Sequence, residues 1–574
     1  MTKIGVDDYL IDHTVDELLT LAQDPEEFKI ESGPKRQSQA DRLIELITNL
    51  PVELFHDDTN EPYVKFKLKD HSEIWKVRSK PFKRYLTQQL WIAEKKALGS
   101  DALNSALNVI EAAACFNNKQ HTLHTRVAWD DDALYYDLGN WTTAKITKDG
   151  WKIVNDPPIL FKHYPHQRAQ VLPTYCEEDE IFELFRFVNL PQPKVMESKL
   201  SNDQLLFLVN LIASFIPDIP HPIDVFHGGQ GAAKTTISRI KKELLDPSAI
   251  TTLTHPKVVA DFVQMASHHW VIPFDNLTHL PEWLSDALCR AVTGDGFSKR
   301  ELYTDDEDII YNFRRCISIN GINLVATKPD LLDRGLIFEL ESIPEDKRKE
   351  EKVFWDEFDK AKPKLLGALF SLLSKTLREC PNVKLTSKPR MADFAVYGCA
   401  VVRALGLTNE AFINAYSDNI KLQNQEAIGA NPVAQVTTSF MDNKDAWEGT
   451  PGELLQELDK IAEELKLSKD KKYPKDARWL WRRITEVKAN LRAAGIMATK
   501  DDSNHKIGRR ITLTRIPQQP KKNVVHVVHD VHNEKKPNDF TSFQVDNIAS
   551  NSGQQKNNLQ NDVHNKHAKS LDGG

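Results

Sequence analysis

Residues 223–238 read IDVFHGGQGAAKTTIS, and the fold turns on how that stretch is read. A short apolar run leads straight into Gly228, Gly229 and Gly231, after which Lys234 and Thr235 open a helical pattern. Strand, glycine-rich loop and helix in this order are the context that the phosphate-binding pattern G-x-x-x-x-G-K-[ST] requires. The departure is Ala233, which stands where the pattern has glycine. In such a loop, successive backbone N–H groups converge on phosphates at a helix N-terminus, where the helix dipole adds positive potential. Gly228, Gly229 and Gly231 supply the flexible part, and Gln230, Ala232, Ala233 and Thr236 complete the loop and its exit. Lys234 is then expected to reach the β and γ phosphates of ATP, and Thr235 to hold Mg²⁺. Ala233 keeps its N–H and is expected to take ordinary helical angles, so that only a methyl group is added. The competing reading is a structural turn that precedes a lysine by chance.

Further segments point the same way. WVIPFDN, residues 270–276, is an apolar strand ending in an acid, which assigns Asp275 a place beside the Mg²⁺. RRCISINGI is a second apolar strand ending in the polar Asn320, and DLLDRG follows with Arg334. Taken together, HGGQGAAKTT, WVIPFDN, CISINGI and DLLDRG resemble the AAA+ class of P-loop ATPases. Within that class they are most similar to superfamily 3 helicases and to the poxvirus-type primase-helicases of phages, plasmids and integrative elements. The block between 276 and 308 looks like the equivalent stretch of ATP-binding proteins from bacterial mobile elements. The resemblance spans about residues 200 to 345, extends to the helical and basic segments beyond, and is loose over the first 190 residues.

The resemblance implies a homo-oligomeric ring, a hexamer, in which Arg334 is aimed at a neighbour's γ-phosphate. It also implies that 294–312 forms a hairpin facing the pore, where Lys299 and Arg300 would contact DNA; a solvated turn is the alternative. Such ATPases usually follow the magnesium-binding acid with a glutamate, and this chain has Asn276. Asparagine can orient a water but cannot accept its proton, so hydrolysis is expected to be slowed rather than excluded. Glu282 or Asp286 on the following helix would be substitutes; alternatively Asp275 itself fills the glutamate position.

The rest of the chain frames this core. With 574 residues it is expected to be multidomain α/β, a P-loop AAA+ core with a parallel sheet flanked by other units. The expected order is a helical leader (1–50), an α+β domain (51–195), the ATPase core (196–345), a helical domain (346–445), a winged helix (446–516) and a disordered tail (517–574). The tail is polar and poor in large apolar residues; its His526, His529 and His532 read as a partner motif rather than a metal site. Asp130, Asp131 and Asp132, between two alternating runs, read as a hairpin turn. LLFLVNLIASFI, residues 205–216, is too short to cross a bilayer and reads as a buried helix. No membrane association or secretion is expected. Six dispersed cysteines, with no C-x-x-C pair, fit a reducing cytoplasm.

Formal charge is -7, so DNA binding must come from a local basic patch. Between 469 and 515 the chain has fourteen Lys or Arg against five Asp or Glu. GTPGELLQELDKIAEEL, then PKDARWLWRRITEVKANLRAAG, then a strand–turn–strand give the order of a winged helix. Leu480, Ile484, Val487 and Leu491 are expected in its core with Trp479 or Trp481, and Gly495 at the helix C-cap. Lys475, Arg478, Arg482 and Arg483 would face DNA from the recognition helix, and Lys506, Arg509 and Arg510 from the wing. The functional expectation is an ATP-driven DNA motor in replication of a mobile element; an ATP-switched regulator or helicase loader, and a scaffold with a structural glycine loop, are the alternatives. The N-terminal region shows no D-x-D pair on a strand with a matching histidine, so a linked primase is not expected.

Overall fold

Apolar runs without alternation suit strands covered on both faces, and four of them form the central sheet. The computed structural model describes residues 10, 12–17, 37–68, 71–116, 119–193, 200–300, 308–311, 314–322, 328–501 and 510–516. All of these fall within the first of two units, Met1–Val527. Strands Val271–Phe274, Cys316–Gly321, Ile223–His227 and Gly335–Glu339 lie side by side in that order, all parallel. Alternate side chains serve opposite faces. Phe226, Leu336, Phe338 and Cys316 pack with helices Asn202–Ala213 and Glu351–Glu379, whereas Ile223, Val225, Ile272, Ile317 and Ile319 pack with helices Val259–His268 and Glu282–Thr293.

Helix Asn202–Ala213 starts at a capping box between Ser201 and Gln204, and every residue from Gln204 to Ala213 is buried. A helix apolar on all sides needs such a core position. No described helix is long and apolar enough to cross a membrane. Asp224, on a buried strand, accepts hydrogen bonds from Lys241 Nζ and Asn210 Nδ2, both at 2.6 Å. That pairing removes the penalty of an isolated buried charge.

Ahead of the parallel sheet lie two antiparallel meanders. Strands Val52–His56, Pro62–Leu68 and His71–Lys76 form the first, covered by helices Gln39–Thr48, Lys80–Glu94 and Ser100–Phe116. The helix read from sequence as part of a leader therefore belongs to a packed layer: its Leu43 and Ile47 are buried against this sheet. Strands Val127–Asp130, Ala133–Asp137, Thr143–Thr147 and Gly150–Val154 form the second. Asp130 pairs with Ala133, leaving Asp131 and Asp132 as a two-residue hairpin turn, and Asp131 takes the positive φ of 49° that such turns favour.

Leu134, Tyr136, Ala144 and Ile146 of this second meander share one core with helix Asn202–Ala213 and with the helices after residue 350. The core thus runs across positions 195 and 345. A buried ionic knot reinforces it: Arg126 Nε donates to Asp246 Oδ1 at 2.8 Å, Lys242 Nζ to Asp246 Oδ2 at 3.0 Å, and Arg126 Nη2 to the carbonyls of Pro247 and Arg168. Burial alone would lower the Arg126 guanidinium, but Asp246 beside it holds it above its usual range.

Helices Glu351–Glu379, Ala392–Ala404, Asn409–Gly429 and Pro432–Met441 follow. The C-terminal unit then runs strand Ala446–Gly449, helix Pro451–Glu464, helix Ala477–Glu486, helix Lys488–Ala493, and strands Ile496–Asp501 and Arg510–Arg515. The three strands are antiparallel in the order 446–449, 510–515, 496–501. Leu480, Ile484, Val487 and Leu491 lie in its core, with Gly495 at a positive φ of 84° just beyond the helices. The single helix read from PKDARWLWRRITEVKANLRAAG is two, because Val487 leaves helical geometry at φ -112° and ψ 10°. Of the two tryptophans, Trp481 packs on the core and Trp479 is 50% exposed. Strand 446–449 was not foreseen: AWEG has no alternation of its own and pairs with a segment far along the chain. The expected tail, with His526, His529 and His532, lies outside the described residues.

Candidate functional site

Strand Ile223–His227 ends at the C-terminal edge of the parallel sheet, and 228–233 carries the chain into helix Lys234–Leu245. Gly228 has φ 144°, and a Cβ there would meet the Leu340 carbonyl oxygen at 2.1 Å, so both angle and contact demand glycine. Ala233 departs from the expected right-handed angles: it sits in the left-handed region at φ 60° and ψ 28°. The chain makes its last turn into the helix there, in a conformation that costs an L-residue about 1–2 kcal/mol.

The loop is held from outside by the strand that follows Arg334 and by the segment before residue 194. Leu340 N–H donates to His227 O at 2.8 Å, Ser342 Oγ to Gln230 O at 2.8 Å, and Ile343 N–H to Gly231 O at 3.1 Å. Asn189 Nδ2 donates to both Ala232 O, at 3.1 Å, and Glu341 O, at 2.8 Å. Asn189 escaped the sequence reading because VNLPQP carries no pattern and its contacts lie far along the chain.

Within the loop, Lys234 Nζ donates to Gly228 O and Gly229 O, each at 2.7 Å. Burial lowers its pKa below the usual lysine range, against the attraction of Asp275. Thr235 Oγ1 donates to Asp275 Oδ1 at 2.9 Å. Asp275 follows strand Val271–Phe274 directly, and its N–H is bonded to Leu253 O at 3.1 Å. The exposed Asn276 has φ 54°, and its N–H donates to Asn320 Oδ1 at 2.7 Å. Asn320 is 2% exposed, on strand Cys316–Gly321, and its Nδ2 has no hydrogen-bond partner among the described residues. Lys234, Thr235, Asp275, Asn276 and Asn320 therefore gather around the C-terminal ends of three adjacent strands. Asp286, a proposed substitute acid, is paired with Lys328 Nζ at 2.9 Å, and Glu282 is exposed at the first turn of its helix.

Arg334 is not in this group. It immediately precedes Gly335, which pairs with Ile223, whereas the loop leaves the strand after His227. Four residues of strand, about 13 Å, separate the two ends. Arg334 pairs with the Asp330 carboxylate, which Arg390 also holds, at 2.5 Å. Burial would raise the Asp330 carboxyl, but the two guanidiniums keep it below the usual range.

The expected DNA contacts divide in two. Lys475, Arg478 and Arg482 are exposed on or just before helix Ala477–Glu486, with Arg483 half-buried. Carboxylates stand beside the arginines: Asp476 at 3.1 Å from Arg478, Glu486 at 2.9 Å from Arg483 and 3.7 Å from Arg482, and Glu448 at 3.0 Å from Arg510. The Arg482 guanidinium lies 5.3 Å from the centre of the exposed Trp479 ring. Lys506 and Arg509 lie outside the described residues. Strands Phe297–Arg300 and Asp308–Tyr311 pair as an antiparallel hairpin, while the side chains of Lys299 and Arg300 lie outside what is described.

Residues 194–422 match the family model described as the actinomycete integrative conjugative element replication protein, and residues 433–525 match that of the AICE RepA C-terminal domain. The two matches follow one another along the chain. The glycine loop, Asp275, Asn320 and Arg334 lie in the first match, and the basic helix in the second. No curated protein matches the chain. Similar solved structures include the C-terminal region of NrS-1, at 10% identity and a TM-score of 0.38, covering 84% of this chain and 100% of that one. Another is the SCCmec type IV Cch active helicase, at 11% identity and a TM-score of 0.39, covering 81% and 92%. These likenesses are distant.

Proposed function

We propose that this protein is an ATP-dependent DNA motor, a helicase or translocase of the superfamily 3 type, working as a hexameric ring in replication of an integrative element. The observation that carries the proposal is the Thr235–Asp275 hydrogen bond at 2.9 Å, which joins the helix after the glycine loop to the end of strand Val271–Phe274, the next but one from the strand that leads into the loop. A hydroxyl and a carboxylate at this spacing fit Mg²⁺, which takes oxygen ligands, keeps several waters and needs only one or two carboxylates beside substrate phosphates. Bound there, Mg²⁺ would neutralise charge on the β and γ phosphates. The free N–H groups at the start of helix Lys234–Leu245 would hold the phosphates. Lys234 would exchange the carbonyls of Gly228 and Gly229 for phosphate oxygens. Asn320 Nδ2, a buried donor without a partner among the described residues, would be satisfied by a phosphate or water oxygen.

Arg334 suits a ring because it stands at the opposite end of the strands from its own loop and would serve a neighbouring copy. The C-terminal unit supports a winged helix: its sheet order and its exposed helix Ala477–Glu486, with Arg478, Trp479 and Arg482, suit docking on duplex DNA. The six cysteines are unpaired, as suits the cytoplasm.

A second reading, an ATP-switched regulator with weak turnover, is favoured by the carboxylates: the residue after Asp275 is Asn276, and Asp286 is already paired. ATP binding and turnover by wild type, Lys234→Ala and Thr235→Ala, with and without DNA, separate the readings. The motor requires turnover that DNA stimulates and that both substitutions abolish. Wild-type binding without turnover favours the switch, and unchanged binding by Lys234→Ala would refute a nucleotide site at the loop.

A further inference from the structure

Helix Lys80–Glu94 folds by one face and leaves the other unusual. Phe82, Leu86 and Leu90 are fully buried, whereas Trp91 and Ile92 are 52% and 56% exposed. Lys83, Arg84, Gln88 and Trp91 recur at helical spacing along one flank, so their side chains share a face. Beyond the helix, Lys95 takes a left-handed φ of 56° and turns the chain back, so that Lys96 and Leu98 form a facing wall. Gln39 fixes that wall: its Nε2 donates to Ala97 O at 3.0 Å, and its Oε1 accepts from Gly99 N–H at 3.2 Å. The result is a groove of about 550 Å³.

Charge identifies the occupant. Lys83, Arg84 and Lys96 line the groove and no carboxylate does. Among the described residues neither Lys83 nor Arg84 pairs with an acid; the nearby Glu94 is engaged by Arg42 at 2.9 Å and by Lys96 at 3.5 Å. An exposed indole flanked by Lys83 and Arg84, neither of which has an acidic partner among the described residues, is a local reversal of the field of a protein of net charge -7. An aromatic face for an unpaired base, with cations for the flanking phosphates, is what single-stranded nucleic acid requires and what duplex, whose bases are already stacked, does not use.

We propose that the groove between helix Lys80–Glu94 and residues 96–98 binds single-stranded DNA, with Trp91 stacking on a base and Lys83, Arg84 and Lys96 holding the backbone. This site lies outside both family matches, needs no nucleotide and does not rest on the ATPase reading.

The full-length protein is titrated, without ATP, against a short fluorescein-labelled oligothymidylate at several salt concentrations. Trp91→Ala is expected to weaken binding about fivefold to 150-fold, the range for loss of one base stack, and Trp91→Phe to restore most of it. Lys83→Glu combined with Arg84→Glu removes two phosphate contacts, so the slope of log K against log salt should flatten by about 1.4. Duplex binding should not change. As a direct test, p-benzoylphenylalanine placed at position 91 should crosslink to the oligothymidylate on illumination. Wild-type affinity and slope in these variants, or absence of the crosslink while the oligothymidylate is bound, overturns the proposal. A changed oligomeric state at unchanged single-strand affinity also overturns it, and makes the face a contact between protein chains.

Discussion

Replacing Ala233 by glycine tests the geometry of the loop more sharply than removing any of its glycines. At φ 60° and ψ 28° the alanine holds a left-handed conformation that costs about 1–2 kcal/mol and that glycine adopts freely. Glycine also gives the unfolded chain more freedom, which opposes the gain by about 0.4–1 kcal/mol. The methyl is only half-buried, so little packing is lost with it. The balance favours Ala233→Gly by about 0.5–1 kcal/mol at the loop. Because the chain has several packed units, a single unfolding transition is not a safe readout. Native-state hydrogen exchange of the amides in helix Lys234–Leu245 reports local opening, and should slow about twofold to fivefold. Faster exchange in the variant would refute the left-handed assignment and restore the expectation that alanine fits the loop without strain.

Two further substitutions probe the frame around the site. Arg126→Met leaves Asp246 without one of its two cations and strips the carbonyls of Arg168 and Pro247 of a donor; breaking a buried pair in this way should destabilise by about 3–5 kcal/mol, seen as faster native-state hydrogen exchange of the amides in strand Ala133–Asp137 and helix Lys234–Leu245. His221 is buried, with no hydrogen-bond partner at either ring nitrogen among the described residues, and burial, with Lys241 and Arg314 nearby, lowers its pKa to about 3. The unfolded chain takes up that proton near pH 6.5, so stability is full above this value and falls by about 1.4 kcal/mol per unit as pH drops towards 3. His221→Phe should remove about 2 kcal/mol of the loss between pH 6.5 and 5, measured across that range by native-state hydrogen exchange of the amides in helix Asn202–Ala213, corrected for intrinsic exchange rates; an unchanged pH dependence would show that another group carries it.

What could be read from the chain was local in origin. A strand, three glycines and a helix start are contiguous, and so are an apolar run and its terminal acid, so IDVFHGGQGAAKTT and WVIPFDN suffice to put the loop and Asp275 at strand ends. The core positions Leu480, Ile484, Val487 and Leu491 followed from helical spacing alone. What stayed hidden depends on distant partners. Asn189 clamps carbonyls of Ala232 and Glu341, Arg126 meets Asp246, and strand Ala446–Gly449 is made a strand by Arg510–Arg515. Helix Gln39–Thr48 read as leader because its apolar stripe does not name the sheet that covers it. Ala233 misled for a different reason: its residue type argues for right-handed angles, and the turn into the helix overrides that preference. The clustering of positive charge between 469 and 515 was visible, but the carboxylates facing Arg478, Arg483 and Arg510 became apparent only in three dimensions.

The most direct test of the central claim is strand separation on a forked DNA duplex by the wild-type protein and by Lys234→Ala, with ATP and with a non-hydrolysable analogue. The account predicts separation by wild type with ATP only, and a loss of about 100-fold or more in Lys234→Ala, the scale for removing one charge-stabilising donor from a phosphoryl-transfer site. Separation by wild type that needs no ATP, or ATP-driven separation that survives Lys234→Ala, would contradict it.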